Sequence, residues 1–181
     1  MKCIALGVTG SIAAYKAADL ANELFKRGYA VEAILTRDGA RFITALTLQT
    51  LSRNRVHADM FDDRYPREVE HVSLAQRADL LLVAPATADC IARLSLGLAD
   101  DLLGAVALAL EPETPVLVAP AMNTSMYFSV PVREHLGRLR VRGWNIVEPR
   151  ESVLACGDLG KGALAEVRDI VSRVDAVLGG P

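Results

Sequence analysis

The sequence is short of cysteine, of long apolar runs and of any excess of basic charge. Its three cysteines, Cys3, Cys90 and Cys156, are an odd number. They form no Cys-x-x-Cys pair, and no histidines cluster near them, which argues against a disulfide framework and against a metal site. The longest apolar stretch, Leu80 to Ala88, is far shorter than the roughly 20 residues a membrane span needs. Met1-Lys2-Cys3-Ile4-Ala5-Leu6 runs straight into a strand-like pattern, without the apolar core and cleavage site of a signal peptide. A cytoplasmic protein with no membrane partner is therefore expected. The 20 Lys+Arg against 22 Asp+Glu leave a net charge of −2, so the basic footprint of a nucleic-acid binder is missing. The one basic cluster, Arg138-Leu139-Arg140-Val141-Arg142, is short and reads as the solvated end of a helix. No linker, repeat or low-complexity run interrupts the chain, so residues 1–181 read as one domain.

What the sequence does have is alternation. Five short apolar runs read as strands: Ile4 to Val8, Val31 to Leu35, Leu80 to Ala84, Pro115 to Ala119 and Trp144 to Val147. Helical spacing separates most of them, as in Ile12 to Arg27 (stopped by Gly28), Ala88 to Ser95, Asp100 to Leu110 and Thr124 to Leu139. A last helix is expected over Ala165 to Val177. Arg53 to Glu70 is polar and irregular and reads as a long surface loop. Near-continuous apolar strands between helices predict an α/β fold, a doubly wound, flavodoxin- or Rossmann-like parallel sheet with helices on both faces. The expected strand order is 2-1-3-4-5.

Open α/β sheets bind ligands outside the carboxyl ends of their strands, so the strand exits carry the functional reading. After the first strand, Gly7-Val8-Thr9-Gly10-Ser11-Ile12 makes a tight turn into a helix that Ser11 can cap, with N–H groups suited to a phosphate. It is neither G-x-G-x-x-G nor a P-loop. After the second comes Thr36-Arg37-Asp38-Gly39-Ala40-Arg41-Phe42, where Thr36 is a phosphate contact or simply a helix cap. Pro85-Ala86-Thr87-Ala88-Asp89 and Pro120-Ala121-Met122-Asn123 follow the third and fourth. The small residues of the former admit a flat ring close to the backbone, and Asn123 offers both donor and acceptor. After the fifth, Leu154 to Gly162 holds three glycines and Cys156, a flexible segment suited to a lid with an accessible thiol. Cys3 and Cys90 sit in apolar patterns as packing residues. His71 precedes the third strand as a candidate proton-transfer group. His57 and His135 read as surface residues.

Taken together, these segments resemble the flavin-dependent cysteine decarboxylase family over essentially the whole chain. The carriers are Gly7 to Lys16, His71 with Leu74 and Ala75, Pro85 to Ala88, Gly97-Leu98-Ala99-Asp100-Asp101-Leu102-Leu103, Pro120 to Asn123, and Ala155-Cys156-Gly157-Asp158-Leu159-Gly160-Lys161-Gly162. The resemblance implies FMN held by Gly10, Ser11, Ile12, Thr36, Phe42, Pro85, Ala86, Thr87, Ala88 and Met122. It implies His71 as the active-site histidine, Asn123 on the substrate carboxylate, and Cys156 on a clamp that donates a proton late in the reaction. The implied reaction is oxidative decarboxylation of 4′-phosphopantothenoylcysteine, in coenzyme A biosynthesis, through a thioaldehyde and an ene-thiol. The implied partners are further copies of the chain, as a trimer or a dodecamer of four trimers, and a synthetase that is separate or fused. The sequence departs from the family pattern at Asp89-Cys90, usually Asn-Thr, and at Gly162-Ala163-Leu164-Ala165-Glu166-Val167, usually Gly-Arg-Met-x-Glu-Pro. The second departure motivates a different substrate, a peptide ending in cysteine. The same resemblance also admits a flavin prenyltransferase or a non-catalytic flavin-binding regulatory subunit. The presence of His71, Asn123 and Cys156 weighs against both.

Overall fold

The computed structural model describes residues 1–61, 69–153, 155, 157 and 159–180. Six parallel strands make the central sheet: β1 (Cys3–Val8), β2 (Ala30–Leu35), β3 (Val56–His57), β4 (Leu80–Ala86), β5 (Val116–Pro120) and β6 (Asn145–Ile146). Their order is β3-β2-β1-β4-β5-β6. The five strands expected from the sequence are all present in the expected 2-1-3-4-5 order, with β3 added at the edge. Helices α1 (Lys16–Lys26), α2 (Ala45–Ser52) and α8 (Val167–Leu178) cover one face. Helices α3 (Glu70–Arg77), α4 (Ala88–Leu96), α5 (Leu102–Ala109), α6 (Thr124–Phe128) and α7 (Val130–Val141) lie on the other. Strands β7 (Arg150–Val153) and β8 (Leu159–Ala163) pair antiparallel, apart from the sheet.

The central strands are apolar at every position because both faces are covered. In β4, Leu80, Leu82 and Ala84 pack toward α1 and α8, while Leu81 and Val83 pack toward α4, α5 and α7. Each fully buried leucine contributes roughly 1.5–3 kcal/mol, so the middle of the sheet is the rigid part. The loops at its carboxyl end are carried on that platform.

At the periphery the structure departs from what the sequence pattern predicts. The stretch read as a loop from Arg53 to Glu70 contains β3, and α3 begins at Glu70; residues 62–68 lie outside the described residues. His57 is not a surface residue but 3 % exposed. The pairing of β3 on β2 turns its ring inward, with Nε2 at 2.6 Å from Glu32 Oε2 and Nδ1 against Glu70. His135 is half-buried and bonds to Ser95 Oγ through Nδ1. Arg142, expected in solvent, donates to the carbonyls of Leu94 at 3.1 Å and Ser95 at 2.6 Å. It thereby satisfies acceptors left open at the end of α4. The helix expected over Thr124 to Leu139 breaks at Ser129, which is extended (φ −60, ψ 146), and restarts with proline in the first turn of α7. Residues 12–15 form a 3-10 turn before α1. Among the described residues, no helix is long and apolar enough to cross a membrane.

Candidate active site

The exits of β1 and β4 are tied together by one side chain. Thr9 is 3 % exposed; its Oγ1 donates to the Pro85 carbonyl at 2.6 Å and accepts from the Thr87 N–H at 3.1 Å. The turns that follow the strands are closed by short polar side chains. Ser11 Oγ accepts from Ala13 N–H at 3.3 Å, Thr36 Oγ1 from Gly39 N–H at 3.1 Å, and Thr87 Oγ1 from Cys90 N–H at 3.2 Å. Asn123 Oδ1 accepts from Ser125 N–H at 2.8 Å. The plain structural role expected of these residues as caps is therefore real. It also turns helix N-termini toward the carboxyl edge of the sheet. Only glycine fits at position 10, because a Cβ there would overlap the side chain of Asp38.

Two clefts open along this edge. The first, of about 590 Å³, is lined by Gly10, Thr36, Thr87 and Ala88 together with Asp38, Asp89, Arg93 and Asp101, among others. Arg93 ion-pairs with Asp89 at 2.8 Å and with Asp100. Its hydrogen bond holds the Asp100 carboxyl below the usual range. Asp101 Oδ1 accepts from Gly104 N–H at 2.7 Å and caps α5. The second cleft, of about 430 Å³, is lined by Ser11, Ile12, Met122 and Asn123 and by Lys16, Arg150 and Ala163, among others. Both volumes are of the size that takes a small molecule or cofactor. Gly10 lines the first and its neighbour Ser11 the second, so one loop separates them.

The β7–β8 hairpin is the outer wall of the second cleft. It sits close because β8 carries glycines where it meets the Asn123 loop. The Met122 N–H donates to the Gly162 carbonyl at 2.9 Å. A Cβ on Gly162 would overlap the Met122 carbonyl, and one on Gly160 the Thr124 side chain. Between them Lys161 reaches Glu148 Oε2 at 3.1 Å, the same oxygen that accepts from Tyr127 O–H at 2.6 Å. Burial alone would raise the Glu148 carboxyl, but the Tyr127 hydrogen bond and the Lys161 ammonium outweigh it and hold it low.

The predicted site residues thus divide. Gly10, Thr36, Thr87 and Ala88 meet in the first cleft; Ser11, Ile12, Met122 and Asn123 meet in the second. Pro85 and Ala86 are buried within β4, behind the first cleft. Phe42 is 47 % exposed and lines neither cleft. His71 lines neither as well; it stands in the first turn of α3, with Nδ1 buried and without a hydrogen-bond partner. Cys156 lies outside the described residues. Cys3 and Cys90 behave as packing residues: burial pushes the Cys3 thiol up to about 11 and the Cys90 thiol higher still. Among the described residues, no three His, Cys, Asp or Glu side chains gather to hold a metal. Thr9, Lys16, Arg93 and Arg150 are site residues that the sequence pattern does not single out. Thr9 sits between Val8 and Gly10 and Lys16 inside a helix pattern, and only folding brings Arg93 and Arg150 to the clefts.

A doubly wound sheet with two small-molecule clefts at its carboxyl edge defines a cofactor-binding α/β protein, and the chain belongs to the Flavoprotein family, which it matches over residues 1–179. It is 45 % identical over 177 residues to the "Probable phosphopantothenoylcysteine decarboxylase" of Streptococcus mutans, covering 98 % of this chain and 99 % of that protein. It is 43 % identical over 172 residues to the coenzyme A biosynthesis bifunctional protein CoaBC of Bacillus subtilis, covering 95 % of this chain but only 42 % of that protein. The chain therefore spans about two fifths of such bifunctional relatives. Among solved structures, it resembles a PPC decarboxylase mutant complexed with pantothenoylaminoethenethiol, with a TM-score of 0.88, 31 % identity and 99 % coverage of both chains. The fold and family expected from the sequence are both found.

Proposed function

We propose that this chain is an FMN-dependent decarboxylase of 4′-phosphopantothenoylcysteine, acting in coenzyme A biosynthesis. The observation that carries the reading is the pair of clefts sharing the Gly10–Ser11 loop, one shaped for a flat cofactor and the other holding Asn123. The first cleft has room for FMN, with the small residues Gly10, Ala88 and Gly104 and the side chains of Thr36 and Thr87 in its lining. Those residues would hold the cofactor, with Ser11, Ile12 and Met122 on the other side of the loop. When bound, FMN would supply the two-electron oxidation that creates an electron sink β to the carboxylate, and the later return of that electron pair. The chain's own residues bind, orient and move protons. Asn123 holds the substrate carboxylate through its amide. Cys156, in the segment joining β7 to β8, supplies the late proton. The hairpin walls the cleft from water.

His71 handles a proton from a neighbouring copy of the chain. Support comes from its place outside both clefts, from Val69 and Val72 exposed beside it in the chain, and from Leu108 exposed on α5, which packs against α3. The assembly is a trimer or a dodecamer of four trimers, in the cytoplasm, with the synthetase step on a separate or fused partner. Purified protein is expected to be yellow and to convert 4′-phosphopantothenoylcysteine to a product lighter by CO₂ on mass analysis. Colourless protein that takes up no FMN overturns the reading. His71→Asn and Cys156→Ser are each expected to slow the reaction about 10²–10⁴-fold; full activity in both removes their assigned roles.

A further inference from the structure

The two clefts differ sharply in charge. Four aspartates, Asp38, Asp89, Asp100 and Asp101, line the first against Arg37 and Arg93. The described residues lining the second include two cations, Lys16 and Arg150, and no carboxylate. The second cleft is therefore the more cationic of the two. Arg150 is well placed to receive an anion there. It begins β7, its Nε is buried, and that nitrogen has no hydrogen-bond partner. It lies 2.9 Å from Glu166 Oε1, which neutralises the charge without satisfying the N–H geometrically. The Glu166 side chain is 43 % exposed, so it can turn to water when a stronger acceptor arrives.

The register of the hairpin sharpens this. Arg150 is the direct cross-strand partner of Ala163. The family resemblance implies an arginine at position 163, where this chain has Ala163. Opposed residues on an antiparallel pair have Cβ atoms about 4.5–5.5 Å apart. A guanidinium on either side of this rung serves the same wall of the same cleft. The charge count also selects among anions. A single carboxylate needs one cation and already has Asn123. A phosphate monoester carries roughly −1.5 to −2 at neutral pH and offers three acceptor oxygens. Two cations and an unsatisfied, fork-shaped donor fit the monoester.

The geometry points to Arg150, aided by Lys16, as the anchor for the phosphate of the substrate and thus as the residue that selects phosphorylated over unphosphorylated cysteine conjugates. This rests on the decarboxylase reading above and names the specificity determinant of that site. Glu166 holds the guanidinium in place until the substrate displaces it.

The test uses FMN-loaded protein and compares 4′-phosphopantothenoylcysteine with pantothenoylcysteine. Arg150→Ala is expected to lower kcat/KM for the phosphorylated substrate roughly 10- to 100-fold, mainly through KM. The unphosphorylated one should change less than about threefold. Equal loss on both, or loss on neither, overturns the assignment, as does a wild type that prefers a peptide ending in cysteine. A second variant guards against simple damage to the hairpin: Arg150→Ala combined with Ala163→Arg should restore the preference, and its failure to do so overturns the proposal. Calorimetry with 4′-phosphopantetheine and pantetheine reads the anchor without turnover. If wild type releases CO₂ from neither substrate, the decarboxylase reading falls. The anchor then stands or falls on whether the affinity ratio of those two ligands collapses in Arg150→Ala.

Discussion

Asn123 caps a helix with one atom, and the proposed reaction assigns its amide to the substrate. Its Oδ1 caps the first turn of α6, and an aspartate would do that equally well. The amide is what a carboxylate cannot replace, since it donates to an anion where Asp would repel one. Asn123→Asp is therefore expected to leave the thermal midpoint nearly unchanged and lower kcat/KM about 10²–10³-fold, the range for losing a donor aimed at developing charge. Thermal denaturation alongside steady-state kinetics checks both halves; a large drop in midpoint would show the residue to be mainly structural. Ser11, Thr36 and Thr87 follow the same logic. Their caps are visible in the sequence as short polar residues ahead of helical spacing. Which of them also face a ligand depends on where the clefts open.

Among the elements, the hairpin decides how closed the second cleft is. Its glycines are legible in the sequence as flexibility, but the fold gives Gly160 and Gly162 another purpose, close approach to Thr124 and Met122. Gly162→Ala places a methyl against a backbone carbonyl that has no rotamer to escape into. The expected outcome is a hairpin lifted from the Asn123 loop. Hydrogen exchange at the β8 amides should rise, and activity should fall at least about tenfold for a cleft opened to water. The sheet should stay folded, since the hairpin does not pair with it. Unchanged exchange at β8 would count against this role. The edge elements were the hardest to read. β3 has two residues and α3 eight, too short for periodicity to separate from loop.

For the molecule as a whole, the sheet edge is held by a charged network: Glu32 on β2, His57 on β3, and Glu70 on α3 with Arg55 beside it. The His57 hydrogen bond lowers the Glu32 carboxyl despite burial. Burial would raise Glu70, but Arg55 and His57 together bring it below its ordinary 4.5. Carboxyls lowered in the folded state contribute stability that is fully present above their unfolded pKa and lost as pH falls through the folded value. Wild type and His57→Gln should therefore differ in thermal midpoint at neutral pH, and their curves should converge as pH falls below about 4.5. A gap that stays constant into the acid range would rule out this linkage.

Fold class, family and most of the strand-exit residues are written in the sequence alone. They rest on local signals: apolar runs covered on both faces, helical spacing, glycines and caps at fixed offsets. Packing alone settles the rest. It divides the predicted site into two clefts at the Gly10–Ser11 loop, buries His57 between carboxylates, stands His71 away from both clefts and sets Arg150 opposite Ala163 across one rung. Each of these joins residues far apart in the chain, and proximity of that kind is set by packing and strand register, on which no local pattern bears.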